Sequence, residues 1–207
     1  MSRYVSNKGL ALAFNENLFF SGQDFKLKMM QLISSAKKNI FLCSYIFSND
    51  SFGAEVWNHL CVKARSGVNV RLLLDGFGSR LWLSHLPNSI PENLEIRVFH
   101  PLPWPLSGFQ LHEFPNLLRF FSRLYKINRR SHQKALLIDN HWLMVGSRNI
   151  NMDSLTWRET SALLSGDEVA HSEFVFHSIW KSAQALFKKE KIRPNLAKRK
   201  KTKACTW

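Results

Sequence analysis

The chain has 207 residues, 45% of them hydrophobic and 21% charged, and a formal net charge of +14. That length and apolar content suit one globular domain with a real core and exclude an intrinsically disordered chain. No run approaches the roughly 20 apolar residues that a bilayer-spanning helix needs, and three cysteines without metal-like spacing argue against a disulfide framework or a zinc site.

In chain order, Leu10 to Phe14 reads as a first strand. It is too short for a secretory signal core and is followed by Asn15-Glu16-Asn17. Ser21 or Asp24 is positioned to cap a helix through Lys37, with Phe25, Met29, Leu32, Ile33 and Ala36 on one face. Ile40 to Phe47 reads as a buried strand, with Cys43 as a small core residue. Phe52 to Ala64 is helical, its stripe made of Val56, Trp57, Leu60, Cys61 and Ala64, and Ser66-Gly67 stops it. Val68 to Leu74 is the next strand, closed by Asp75-Gly76. Asp75 stands at a strand end of the kind where α/β sites form, and a turn cap is the plainer reading. Leu94 to Phe99 follows as a strand.

A stretch from Pro101 to Arg130 is rich in Pro, Phe, Leu and Arg. Trp104 among Pro101, Pro103 and Pro105 suggests a fixed loop near a pocket mouth. Farther on, Phe114, Leu117, Leu118, Phe120, Phe121, Leu124 and Ile127 alternate with Arg119, Arg123, Lys126, Arg129 and Arg130. That mixture suits a helix lying among lipid headgroups, and also a core helix with a basic edge. Ala135 to Ile138 and Trp142 to Val145 form a hairpin around Asp139-Asn140-His141. Thr160 to Leu164 is one more strand. Asp167 to Lys188 is a long helix carrying Val169, Phe176, Ile179, Ala183 and Leu186 at helical spacing. His171 and His177, six apart on it, lack ligand spacing and read as surface or packing residues.

Strands alternating with helices predict an α/β fold: a mixed sheet with helices on both faces. Residues 1–187 are expected to form the folded domain, and residues 188–207 a basic, disordered tail. Lys188 onward holds nine Lys/Arg against one Glu, which leaves a smaller positive excess on the body. A basic body points to an anionic partner, either an acidic phospholipid surface or nucleic acid. Free thiols and the lack of a signal or spanning segment suggest a cytoplasmic protein, peripheral to a membrane where it meets one.

The segment His132-x-Lys134-x4-Asp139-x6-Gly146-Ser147-x-Asn149 carries the chemistry. On a strand, residues two apart share a face, so a strand already begun at His132 turns His132 and Lys134 into one pocket. Lysine offers a compact positive charge to a phosphate oxygen. Gly146 permits close backbone approach, and Ser147 and Asn149 add hydrogen-bond donors. The set is an anion cradle holding a nucleophilic imidazole, and nothing in it has the form of a metal site.

This segment resembles the phospholipase D superfamily, whose signature is His-x-Lys-x4-Asp followed at this distance by Gly-Ser-x-Asn. Leu72-Leu73-Leu74-Asp75-Gly76-Phe77-Gly78-Ser79 and the aromatic-basic insert also look like bacterial cardiolipin synthases, so the likeness extends over roughly residues 9 to 187. The resemblance implies a phospholipase D-like mixed sheet and a catalytic set of His132, Lys134, Asp139 and Glu159. His132 is implied as the nucleophile or the acid, and Asp139 mainly as an orienting residue. Glu159 is implied as the acceptor on the second ring nitrogen of the histidine. Lys134, Ser147 and Asn149 are implied to bind the substrate phosphate. No cofactor or metal is implied. The implied activity is phosphodiesterase or phosphatidyltransferase chemistry on phospholipids through a covalent phosphohistidine. A metal-independent endonuclease and a non-catalytic lipid- or nucleic-acid-binding module are the alternatives. Such enzymes use two motifs per site, and this chain has one: His112, His141, His171 and His177 lack the Lys and Asp spacing. A homodimer, or a second chain with another motif, is therefore expected.

Overall fold

In the computed structural model, residues 17–86, 89–99, 130–166 and 169–185 are described. The expected strand at Leu10 to Phe14, the insert between Pro101 and Arg129 and the tail from Lys188 lie outside the described residues.

The elements are β1 (Asn17–Phe19), α1 (Gly22–Ser35), β2 (Asn39–Ser44), α2 (Ser51–Arg65), β3 (Asn69–Asp75), α3 (Arg80–Leu83), β4 (Leu94–Phe99), β5 (Ala135–Ile138), β6 (Trp142–Gly146), α4 (Met152–Thr156), β7 (Ser161–Ser165), α5 (Val169–Ser182) and β8 (Gln184–Ala185). The strands form one sheet in the order β1-β7-β6-β5-β2-β3-β4-β8. β2, β3 and β4 are parallel, and the remaining pairings are antiparallel. The expected mixed α/β sheet is present.

Period-two alternation sends side chains to opposite faces. Ile40, Leu42, Leu72, Leu74, Leu136, Ile138 and Met144 pack on one face with Phe25, Met29 and Ile33 of α1 and Val56 and Leu60 of α2. Their neighbours Phe41, Cys43, Leu73, Leu137 and Leu143 pack on the other face with Val169, Phe176 and Trp180 of α5. The sheet is thus covered on both sides, and continuous apolar runs such as Leu72-Leu73-Leu74 are what a doubly covered strand requires.

Several boundaries differ from expectation for local reasons. Ser21 caps α1 by accepting from the Asp24 amide at 3.4 Å. The helix stops at Ser35, short of Lys37, because the amides of Lys37, Lys38 and Asn39 all donate to the Asp139 carboxylate, at 2.8, 2.7 and 2.8 Å. The β2 ladder ends at Ser44, and Phe47 makes an isolated parallel bridge to Ile150. α5 ends at Ser182, not Lys188. There Arg97 Nη1 donates to the Trp180 carbonyl at 2.9 Å, its guanidinium lying 4.7 Å from the Trp180 ring, and β8 then pairs with β4. Sequence periodicity did not reveal β1, α3, α4 or β8, all of them five residues or shorter. No described helix is long and apolar enough to cross a membrane.

Candidate active site

β2, β3 and β6 run toward one edge of the sheet, and β5 and β7 start from it. Tyr45, Asp75, the segment 131–134, Ser147 and Glu159 therefore collect at that edge. It is the carboxyl end of the parallel strands, where open α/β sheets place their ligand sites.

Ser131 to Lys134 is irregular, and β5 begins only at Ala135. His132 and Lys134 are consequently not aligned by strand alternation; they meet across Tyr45. The imidazole is stacked on the Tyr45 ring, centroids 4.2 Å apart and planes 23° from parallel. Lys134 Nζ stands 5.4 Å from the centroid of the same ring and donates to the His132 carbonyl at 2.8 Å. Burial draws the Lys134 ammonium below the usual lysine range, while the negative charge of Glu159 acts in the opposite direction. Beneath it, burial pushes the Cys43 thiol up to about 12, which leaves Cys43 an inert core residue.

The Gly-Ser-x-Asn segment is held against this group from two sides. The Gly146 amide donates to the Lys134 carbonyl at 3.3 Å, and the Ser147 amide to the Thr160 carbonyl at 3.1 Å. A Cβ on Gly146 would collide with Ser161 Oγ and, at 2.6 Å, with the Thr160 carbonyl oxygen, so glycine is needed for this approach. Asn149 Oδ1 accepts from the Ile46 amide at 3.1 Å; its NH2 group is the donor half of the side chain. The Oε2 atom of Glu159 is buried and accepts no hydrogen bond, an acceptor ready beside the Lys134 charge.

Two residues that sequence reasoning underused shape the site. Arg148, between Ser147 and Asn149, is fully buried. Its guanidinium donates to the carbonyls of Phe20, Ser154, Trp157 and Glu159. The sequence held no signal for this, since the burial of Arg148 and the acceptors that a buried arginine needs show only in the fold. Asp75, weighed above only as a possible site residue or a turn cap, is both buried and connected. One carboxylate oxygen accepts from Phe77 and Gly78 amides at 2.9 and 3.1 Å, and the other from the Ser131 amide at 3.1 Å. Arg130 Nη1 lies 3.9 Å from it. Asp75 thus ties the β3 loop to the residue before His132.

Asp139 is not in this group. It lies at the other end of β5, in the hairpin turn, where it and Asn140 have φ of 52° and 56°. Left-handed backbone of this kind suits Asp and Asn best among side-chain-bearing residues. Burial raises the Asp139 carboxyl, but the three backbone amides of residues 37–39 outweigh it and hold the group below the usual range. His177, read as a surface or packing residue, lies 3.3 Å from Arg71 and 3.5 Å from Glu173, away from the site.

The chain is similar to known proteins. The family model described as "Cardiolipin synthase, PLD-like domain", PLD being phospholipase D, matches residues 29–180. A cardiolipin synthase from Halalkalibacterium halodurans is 26% identical over 210 residues, covering 97% of this chain and 39% of that protein. The chain therefore spans well under half the length of that relative. Among solved structures, NucT from Helicobacter pylori superposes with a TM-score of 0.59 at 14% identity, over 83% of this chain and 99% of that one. Nuc from Salmonella typhimurium, a phospholipase D family member, gives 0.59 at 16% identity, over 84% and 99%. At such identities these two establish the fold. The family match covers most of the described chain and both halves of the site: the chain belongs to the family of cardiolipin synthase, phospholipase D-like domains.

Proposed function

We propose that this chain cleaves or transfers phosphodiesters of phospholipids, with His132 as the attacking group. The observation that carries the reading is the pairing of the His132 imidazole and the Lys134 ammonium on one aromatic ring, beside Ser147, Asn149 and Glu159. A phosphodiester is anionic and repels nucleophiles. Lys134, Ser147 and the Asn149 NH2 group offset that repulsion by holding non-bridging oxygens, and preorganised donors of this kind supply the largest catalytic term in many enzymes. The His132 nitrogen bonds to phosphorus as the ester oxygen departs with a proton from an acid, leaving a phosphohistidine. An alcohol or water then attacks phosphorus, gives up its proton and frees the histidine, so two smaller steps replace one. Glu159, whose Oε2 accepts no hydrogen bond in this structure, is assigned to accept one from the second ring nitrogen during the reaction and so to fix the tautomer. Asp139 acts at a distance, by anchoring the end of β5.

The proton donor is a second histidine, for which we propose His132 of another copy of this chain, brought across a two-fold axis. Phospholipid is favoured over nucleic acid by the cardiolipin synthase likeness, and association with an acidic membrane surface follows from the same choice. The positive charge that meets the phosphate comes from Lys134. Turnover of phosphatidylglycerol vesicles is therefore expected in EDTA, with loss of at least about 1000-fold in His132→Ala, the scale of losing a nucleophile. Single-stranded DNA is the parallel substrate. DNA cleavage without any lipid product would replace phospholipid by nucleic acid, and tight vesicle binding without turnover of either would reduce the chain to a binding module.

A further inference from the structure

We propose that Tyr45 is the positioning residue of the site: its ring is the common platform that sets the orientation of both the His132 imidazole and the Lys134 ammonium. The inference rests on the phosphodiester reading for its kinetic consequence, but not for its geometry. The segment 131–134 belongs to no strand or helix, so regular structure does not fix the direction of either side chain. His132 is exposed, which leaves an unsupported imidazole free to turn about its side-chain torsions. The contact that restrains the imidazole is the stack at 4.2 Å on Tyr45. The same ring lies 5.4 Å from Lys134 Nζ, within reach of a cation–π attraction. One ring therefore couples the two groups that must meet the same phosphate.

The platform is itself held rigidly. The Tyr45 carbonyl accepts from Ser79 Oγ at 3.0 Å, and that hydroxyl also accepts from the Phe47 amide at 3.0 Å. The next residue, Ile46, is pinned by Asn149 Oδ1 at 3.1 Å. Gly78 closes the other side: a Cβ there would press on the Tyr45 carbonyl and come within 3.1 Å of ring carbon Cδ2. The loop that supplies Gly78 and Ser79 is the one whose Asp75 holds the Ser131 amide. Backbone and ring of His132 are thus both referred to the 75–79 loop. The ring, and not the tyrosine hydroxyl, makes the contacts to His132 and Lys134.

The test compares Tyr45→Phe and Tyr45→Leu in the full chain, with thermal unfolding as a folding check. Tyr45→Phe keeps the ring and is expected to hold kcat within about twofold of wild type. Tyr45→Leu keeps apolar bulk but loses the ring; kcat is expected to fall about 10- to 100-fold, the scale of a small misplacement of reacting groups, with little change in KM. A Tyr45→Leu protein that folds and keeps wild-type kcat overturns the proposal. A second readout needs no turnover: stacking displaces the His132 ring-proton resonances upfield, assigned by their disappearance in His132→Ala. They are expected to stay displaced in Tyr45→Phe and to move downfield in Tyr45→Leu. Resonances unmoved in Tyr45→Leu also overturn the proposal. A wild-type chain without phosphodiesterase activity would remove the functional reading, and the resonances would still decide whether Tyr45 is the platform.

Discussion

Asp139 shows how a motif residue can serve a site that it never touches. Its carboxylate takes three consecutive amides at the start of β2, and its left-handed φ of 52° forms the hairpin turn. Asp139→Asn is a clean probe, because Asn tolerates that backbone and replaces an all-acceptor group by one with an NH2 donor. Charge-assisted hydrogen bonds set the scale, and solvent screening at a partly exposed group reduces it to about 1–2 kcal/mol of lost stability at neutral pH. The folded carboxyl sits below its unfolded value. Its contribution is therefore complete above the unfolded carboxylate pKa of roughly 4 and fades as pH falls through the lower folded value. Denaturant unfolding at pH 7 and at progressively lower pH is expected to show the gap between wild type and Asp139→Asn closing in acid. A gap that stays constant across that range would contradict this role. The sequence made Asp139 visible as a motif member but could not show its place, because spacing alone does not say that β5 carries it to the opposite end of the sheet.

At the scale of elements, the site depends on how closely β6 and β7 end together. Gly146 is the last residue of β6, and the Ser147 amide reaches Thr160 at 3.1 Å immediately beyond it. Gly146→Ala forces the strands apart or strains them, at a cost of about 1–3 kcal/mol typical of overpacking, and displaces Ser147 from its place near Lys134. A lower unfolding midpoint together with a raised KM for phosphodiester substrate is the expected pair of effects; a variant unchanged in both would show that the close approach is dispensable. The long elements were legible because periodicity reports burial: α1, α2, β3 and the β5–β6 hairpin were all anticipated from apolar spacing and turn residues. β1, α3, α4 and β8 were not, since elements this short carry too few residues to display a period. The termini of α1 and α5 were misjudged for another reason. Both are set by distant partners, Asp139 for one and Arg97 for the other, and a local pattern holds no trace of them.

Across the whole molecule, one sheet with two covered faces gathers residues from five separate segments at a single edge. The identities in the His132 to Asn149 segment were readable directly, and they suffice to indicate phosphate chemistry. Tyr45 and Arg148, which support that segment, were not singled out, because an aromatic beside a buried strand looks like any core residue, and an arginine between Ser147 and Asn149 like any surface cation, until its neighbours are known. The chain carries a single motif, and the proposal is that a second copy supplies the other histidine. Solution mass should accordingly report a dimer under assay conditions, and an active strict monomer would oppose the shared site. The proposed mechanism turns on His132 forming the bond to phosphorus. Its most direct test is mass spectrometry of the protein quenched in alkali, where phosphohistidine survives, during turnover of a phosphodiester. The peptide containing His132 is expected to carry the phosphoryl ester as added mass, absent in His132→Ala along with turnover. Sustained turnover by His132→Ala, or an adduct found only on another residue, would contradict it.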